Sequence, residues 1–301
     1  MQQTYKRGLF DRYDGWRIRN VDALFNVVPF ILRTRLDSQN LFEESIPVEG
    51  LERFIRARRE EIPDLSYMHV IIAAMVRLLS QRPYLNRFIV HSKVYARSNI
   101  TVSIAIKRSL TERGEETTVR VEFEPTDTIM DVARRMNEAI TSNKAEGTQN
   151  STDAFAKAFG YIPAFLIRLI VATARWLDNI GHLPRLIYDA SPFHCSFFIT
   201  NLGSLGIGPV YHHLYEFGTC SLFIAMGNKT RVHTVSETGE REARRFIGLK
   251  MNTDERICDG LYYATSMKLL RHLLLHPEEL LTPPETVVVD DGVGKKRIDG
   301  K

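Results

Sequence analysis

Apolar positions recur at helical spacing over 47–61 (PVEGLERFIRARREE) and 66–80 (SYMHVIIAAMVRLLS), and Ser66 stands where an N-cap belongs. Pro83 ends the second run. The stretches 87–96 (RFIVHSKVYA) and 99–107 (NITVSIAIK) are rich in β-branched residues, and 117–124 (TTVRVEFE) alternates strictly, so three strands are expected there. Helical spacing returns over 126–142, opened by Thr126 or Asp127, and the polar stretch 143–153 reads as a loop. Strand patterns follow at 195–201, 220–227, 231–236 and 243–252, then a helix at 260–276. The tail from Pro283 to Lys301, ending GVGKKRIDGK, reads as poorly ordered. Strands and helices mix without a regular β-α-β alternation, which predicts one α/β domain over 1–282 and a tail over 283–301.

One segment cuts across this picture. Residues 161–177 (YIPAFLIRLIVATARWL) are almost entirely apolar, but Arg168 and Arg175 interrupt them. With Ala172 and Asn179 the two arginines fall on one narrow helical stripe. A spanning helix needs about 20 largely uncharged residues. The expectation is therefore a helix buried on most sides, in a subunit contact. The competing expectation is a weak membrane-surface contact by a helix lying in the interface plane.

The chain has 301 residues, with 44% apolar and 25% charged composition, ordinary for a globular protein with a substantial core. A formal charge of +4 is small and dispersed, which argues against nucleic acid as a partner. Cys195, Cys220 and Cys258 are widely spaced, with no Cys-x-x-Cys, which fits a reducing cytoplasm. The first residues, MQQTYKRGLFDRYDGW, lack the apolar core of a secretory signal, so export is not expected.

Chemistry concentrates near residue 255. The stretch DERICDG (254–260) leads into LYYATSMKLLRHLLL, and it resembles the His-x-x-x-Asp-Gly signature of the chloramphenicol acetyltransferase-like superfamily. That superfamily includes the catalytic domains of the dihydrolipoamide (2-oxoacid dehydrogenase) acyltransferases. Asp259 and Gly260 match the Asp-Gly pair, Cys258 matches a cysteine frequent in the antibiotic-modifying branch, and Glu255 stands in place of the catalytic histidine. Three further stretches agree in order. FFITNLGSLGIGP (197–209) is similar to the Phe-x-Ile-Ser-x-Leu-Gly strand, with Thr200 at the hydroxyl position. WRIR (16–19) resembles the family's Trp-x-Arg and puts Arg19 on the arginine that pairs with the motif aspartate. RPYLNRF and SNITVSIAI follow the family's Pro-x-x-Asn and Asn-Ile-x-Val-x-Val-Ala order.

The resemblance implies a two-layer α/β sandwich, a mixed β-sheet with helices packed on one face. It also implies a homotrimer with active sites at subunit boundaries. No lipoyl-type domain or Pro/Ala-rich linker precedes the motifs in this sequence, which argues against a standard complex core subunit. The chain between 142 and 197 also looks longer than in relatives, and the apolar helix lies in that surplus.

In the family, a neutral imidazole takes the proton of a hydroxyl or thiol acceptor, the acceptor attacks a thioester carbonyl, and a Ser or Thr hydroxyl steadies the oxyanion. The resemblance thus implies coenzyme A or another thioester as substrate and a small-molecule acceptor, with no covalently bound cofactor. Three readings of Glu255 stand open: a structural carboxylate in a silent site, a desolvated general base, or a site whose base is another histidine. The candidates for the last are His212 and His213 in PVYHHLYEFGT, which point opposite ways if they lie in a strand. A carboxylate near its ordinary pKa of about 4.3 is a poor base for an alcohol, and Arg256 would hold Glu255 charged if the two side chains met. Thr200 is the oxyanion candidate, Arg19 and Asp259 the expected partly buried ion pair, Cys195 and Cys258 read as small core residues, and no pattern in the sequence pairs His194 with Cys195. The histidines lack the further ligands a metal site needs.

Overall fold

A computed structural model describes residues 5, 6, 8, 11–107, 116–144, 162–235 and 239–295. Nine strands are described: β1 Gly15–Arg17, β2 Gln39–Pro47, β3 Arg87–Val90, β4 Lys93–Arg97, β5 Ile100–Lys107, β6 Glu116–Phe123, β7 Phe197–Asn201, β8 Leu222–Val235 and β9 Arg241–Asp254. Six form one mixed sheet in the order β2-β9-β8-β7-β5-β6, and β1-β4-β3 form a small antiparallel sheet. Within the large sheet β7 runs parallel to both β5 and β8, and the other neighbours are antiparallel.

The helices are α1 Ala23–Ile31, α2 Val48–Ala57, α3 Tyr67–Gln81, α4 Ile129–Lys144, α5 Ala164–Asn179, α6 Arg185–Ala190 and α7 Gly260–Leu275. Alternation along β7 divides the sheet faces: Phe197 and Ile199 enter the main core with the apolar stripes of α2, α3, α4 and α7. Phe198 faces the other way, into a smaller cluster with Cys195, Leu214, Cys220 and Phe223. The expected two-layer sandwich, with helices on one face of a mixed sheet, is what the chain forms. Helix α3 begins in a capping box, in which the Ser66 amide donates to His69 Nδ1 at 3.1 Å.

Several expectations need correction. The 87–96 strand is two strands joined by His91 and Ser92, both with positive φ (48° and 57°). The 220–227 and 231–236 strands are one strand, β8, with an irregularity between Met226 and Lys229. There the backbone comes so close to Pro209 that a Cβ on Gly227 would collide with its ring. Beyond that irregularity, residues 230–235 pair only with 241–246 of β9, making a two-stranded ribbon. The loop expected over 143–153 lies mostly outside the described residues.

Two expectations about exposure also change. Residues up to 295 are not a loose tail: Asp290 is buried in a bidentate pair with Arg87 (2.6 and 2.7 Å), and Val293 is fully buried. The apolar helix α5 is not buried within one chain; Phe165, Leu169 and Trp176 are all more than 60% exposed. Only Ala174 and Asp178 are buried, and they hold the helix. Arg12, itself buried, donates to Asp178 Oδ1 at 2.6 Å and to Asp14 at 2.8 Å. His194 completes this group: its Nδ1 accepts from Ser191 Oγ at 2.8 Å. Its Nε2 lies 3.3 Å from Asp178 Oδ2. No described helix is long and apolar enough to cross a membrane.

Candidate functional site

Strand β9 ends at Asp254, and the chain makes one tight helical turn over Glu255–Ile257 before α7. Asp254 caps that turn and grips Arg256 with both oxygens, at 2.7 Å to Nε and 2.7 Å to Nη2. Arg256 also donates to the Leu32 carbonyl at 2.9 Å. Arg256 is thus occupied and does not meet Glu255. Glu255 is exposed; its amide donates to the Ser38 carbonyl, and its side chain lines a cleft of about 370 Å³ with Leu24, Val28, Cys258, Asp259 and Tyr263. Burial, with Asp259 beside it, pushes the Cys258 thiol up to about 12, so it stays protonated and poorly nucleophilic.

The expected Arg19–Asp259 pair is absent. Both side chains are exposed, and Asp259 instead caps α7 by accepting from the Tyr262 amide at 2.9 Å. Arg19 is fixed through its backbone, which donates to the Gly292 carbonyl. The buried ion pair of this region is supplied from inside the motif, by Asp254 and Arg256, whose side chains are 0% and 3% exposed.

Thr200 lies at the end of β7, half-buried, paired with Ala105 on one side and Ala225 on the other. By alternation it shares the face of Phe198, away from the helices. Asn201 caps the turn that follows, accepting from the Ser204 amide at 3.2 Å, and Gly203 sits so close to the Gly227 carbonyl that a Cβ would lie 2.6 Å from it. Ala225 pairs with Lys250, five residues before Glu255. At about 3.4 Å per strand residue this puts Glu255 roughly 17 Å along the sheet from Thr200 within one chain. The two do not meet there.

The histidine pair lies differently from a strand pair. Residues 209–221 form no regular element but drape over the face that carries Phe198 and Thr200. The two imidazoles therefore do not alternate; they stack on each other with ring centres 4.7 Å apart. His212 also lies flat on Phe223, at 4.0 Å and 7° between planes, and Phe223 stacks on Phe198. Asn252 Nδ2 donates to the His212 carbonyl at 2.9 Å. His212 Nδ1 is 2.9 Å from the His213 carbonyl. A carbonyl only accepts, so Nδ1 carries the proton and Nε2 presents its lone pair. Burial holds the His212 imidazole below its ordinary value, and the neighbouring His213 adds to this against the carbonyl bond. A half-buried, neutral imidazole with a fixed tautomer is the form a general base takes. Among the described residues no group of three or more His, Cys, Asp or Glu could hold a metal ion.

No family model matches the chain, and no curated protein matches it by sequence. Solved structures do match it by shape. A probable dihydrolipoamide acetyltransferase from Listeria monocytogenes superposes with TM-score 0.54 at 14% identity, over 89% of this chain and 97% of that one. Chloramphenicol acetyltransferase superposes with TM-score 0.50 at 11% identity, over 85% and 99%. The chain has the chloramphenicol acetyltransferase-like fold. A dihydrolipoamide acetyltransferase from Azotobacter vinelandii, in which the roles of a serine, a histidine and an asparagine in catalysis were investigated, gives TM-score 0.56 at 15% identity, over 86% and 89%. Within this fold the motif stretch 254–260 and the Thr200 strand occupy separate ends of the sheet in one chain. The signal for Thr200 and Glu255 lay in short motifs. The tautomer of His212 and the Asp254–Arg256 pair had no such signal, because both depend on how residues distant in sequence pack.

Proposed function

We propose that the protein is an acyltransferase-type protein that moves an acyl group from a thioester, such as an acyl-coenzyme A, to a hydroxyl or thiol acceptor. His212 serves as base and Thr200 as oxyanion partner. The observation that carries this reading is the fixed tautomer of His212 on the sheet face that also bears Thr200. His212 Nε2 takes the acceptor proton, and the acceptor oxygen or sulfur forms a bond to the thioester carbonyl carbon. The Thr200 hydroxyl donates to the oxyanion. The carbon–sulfur bond then breaks, and the departing thiolate takes the proton back from the imidazolium. The acceptor and acyl chain are small molecules, and the chain assembles as a homotrimer in the cytoplasm.

The test is a panel of acyl-coenzyme A donors with free thiol and alcohol acceptors. Transfer should fall by about 10²- to 10⁴-fold in His212→Gln. It should also decline with one proton as the pH drops through the imidazole range below about 6.5. A wild-type protein that neither binds nor turns over any donor would favour the second reading, a non-catalytic trimer with a binding or scaffold role. That reading draws on the exposure of Glu255 at the position where relatives carry the base.

A further inference from the structure

On the other side of Arg256 from the Glu255 cleft lies a larger one, of about 700 Å³, between the end of α1, the β3–β4 turn, the end of α5 and the 216–218 stretch. Arg33, Arg35, Lys93, Arg175 and Arg256 all line it, facing the carboxylates of Asp178 and Glu216. The pairings leave an imbalance. Asp254 occupies Arg256, and Arg12 occupies Asp178. Glu216 spends one oxygen on the backbone amides of Arg35 and Leu36. Arg33, Lys93 and Arg175 have no carboxylate partner among the described residues. Four cationic groups thus converge on a cleft with one carboxylate of its own.

Arg35 is the telling member. Its side chain is buried, with the residue 4% exposed, yet no carboxylate meets its guanidinium. Nη1 donates to the Glu216 carbonyl, Nη2 donates to the carbonyls of Ile89 and Gly218, and Nε has no partner. Neutral carbonyls offset only part of the cost of burying a cation. A fold that needed only packing here would do better with an apolar side chain. The turn at the cleft rim adds a second peculiarity: His91 and Ser92 hold consecutive left-handed conformations without a glycine between them.

We infer that this cleft is a binding site for a phosphate-bearing ligand with an apolar body. Guanidinium forks match phosphate oxygens geometrically, and a recess lined by one sign of charge concentrates the opposite sign. Phe30, Ile89, Val90 and Phe217 supply apolar wall for the rest of the molecule, and the volume suits a small organic ligand. The phosphate can sit on a soluble metabolite or on a phospholipid whose membrane meets the exposed apolar residues of α1 and α5. The shared chemistry is the phosphate head group. The inference stands apart from the acyl-transfer reading, because its cleft contains neither Thr200, His212 nor Glu255.

Calorimetric titration of the full chain with naphthyl phosphate, against naphthol as the uncharged control, tests the site. The phosphate should bind and naphthol should not, and added salt should weaken binding. Charge reversal at the rim, at exposed Arg33 (Arg33→Glu) or half-buried Lys93 (Lys93→Glu), should weaken it by about tenfold or more while the thermal midpoint holds. Sedimentation with phosphatidylcholine vesicles, with and without phosphatidic acid, separates the sources. Binding to acidic vesicles that the same variants abolish assigns the head group to a lipid. Binding of naphthyl phosphate without vesicle binding assigns it to a soluble ligand. Equal affinity for naphthyl phosphate and naphthol overturns the proposal, as do affinities indifferent to both variants or no binding in either assay.

Discussion

Asp254 and Arg256 form a two-pronged ion pair across a single intervening residue, with both side chains shut away from solvent. The pair fixes the direction in which Glu255 leaves the backbone, and it ties the motif to α1 through the Leu32 carbonyl. Removing one charge leaves the other buried and alone. Asp254→Asn should therefore destabilise the chain by about 3–5 kcal/mol, read as a fall in the urea midpoint. A loss near that of an exposed pair would show that the region relaxes to admit water.

Glu255 should prove dispensable for any acyl transfer. It is exposed, Arg256 is engaged elsewhere, and Thr200 lies far along the sheet. Glu255→Gln should leave the rate within about twofold, against the 10²- to 10⁴-fold expected when a general base is lost. A collapse of activity in Glu255→Gln would return the base to the motif and point to a site completed by a neighbouring subunit. Glu255→His adds a complementary arm: gained transfer would show that a channel still leads to this position.

Acid should unfold the chain in two stages. Burial holds the His194 imidazole below its ordinary value in the folded chain, whereas the unfolded chain titrates near 6.5. The unfolded state takes the proton first, so the contribution of neutral His194 is complete above about 6.5 and fades as pH falls below it. Burial alone would raise Asp178, but His194 and Arg12 outweigh it and hold this carboxyl at about 2. Its contribution persists down to the ordinary value of 3.8 and is lost as pH falls toward 2. Urea midpoints measured across this range should step down twice, and His194→Gln should shrink the first step, to which His69 and His212, also held below their ordinary value by burial, contribute the rest. A flat wild-type profile between about pH 7 and pH 5 would contradict the neutral, buried assignment.

Gly227 admits no side chain, because a Cβ would collide with the Pro209 ring. Gly227→Ala should cost about 1–3 kcal/mol and displace the loop that carries His212. Thermal denaturation reads the first effect. A wild-type thermal midpoint in this variant would show that Pro209 gives way freely.

The sandwich was legible in the sequence because its strands and core helices carry strong periodic signals, as in 66–80 and 117–124. Weaker local signals failed. Pro29 inside α1 disguised that helix, and β2, with Glu43 and Glu44 among its apolar residues, did not read as a strand. The β3–β4 turn was hidden because His91 and Ser92 adopt a conformation usually given to glycine or asparagine. At the site, motif spacing placed Thr200, Glu255 and Asp259 correctly on their elements. It assigned the ion pair to Arg19 and Asp259 because spacing along a chain does not say which arginine folds back on which acid. For α5 an apolar run specifies a need for cover, and one chain provides it only at Ala174 and Asp178.

The register of β2 against β9 has a consequence for how the molecule comes into being. Gln39 pairs with Asp254 and Pro47 with Phe246, partners about two hundred residues apart. The edge of the sheet nearest the amino terminus thus waits for the last described strand to be synthesised. Until then β2 is an open hydrogen-bonding edge on a nascent chain, and closure over so long a loop is slow. Closure of this edge cannot precede synthesis of β9, and a chain that lacks β9 leaves β2 without its partner.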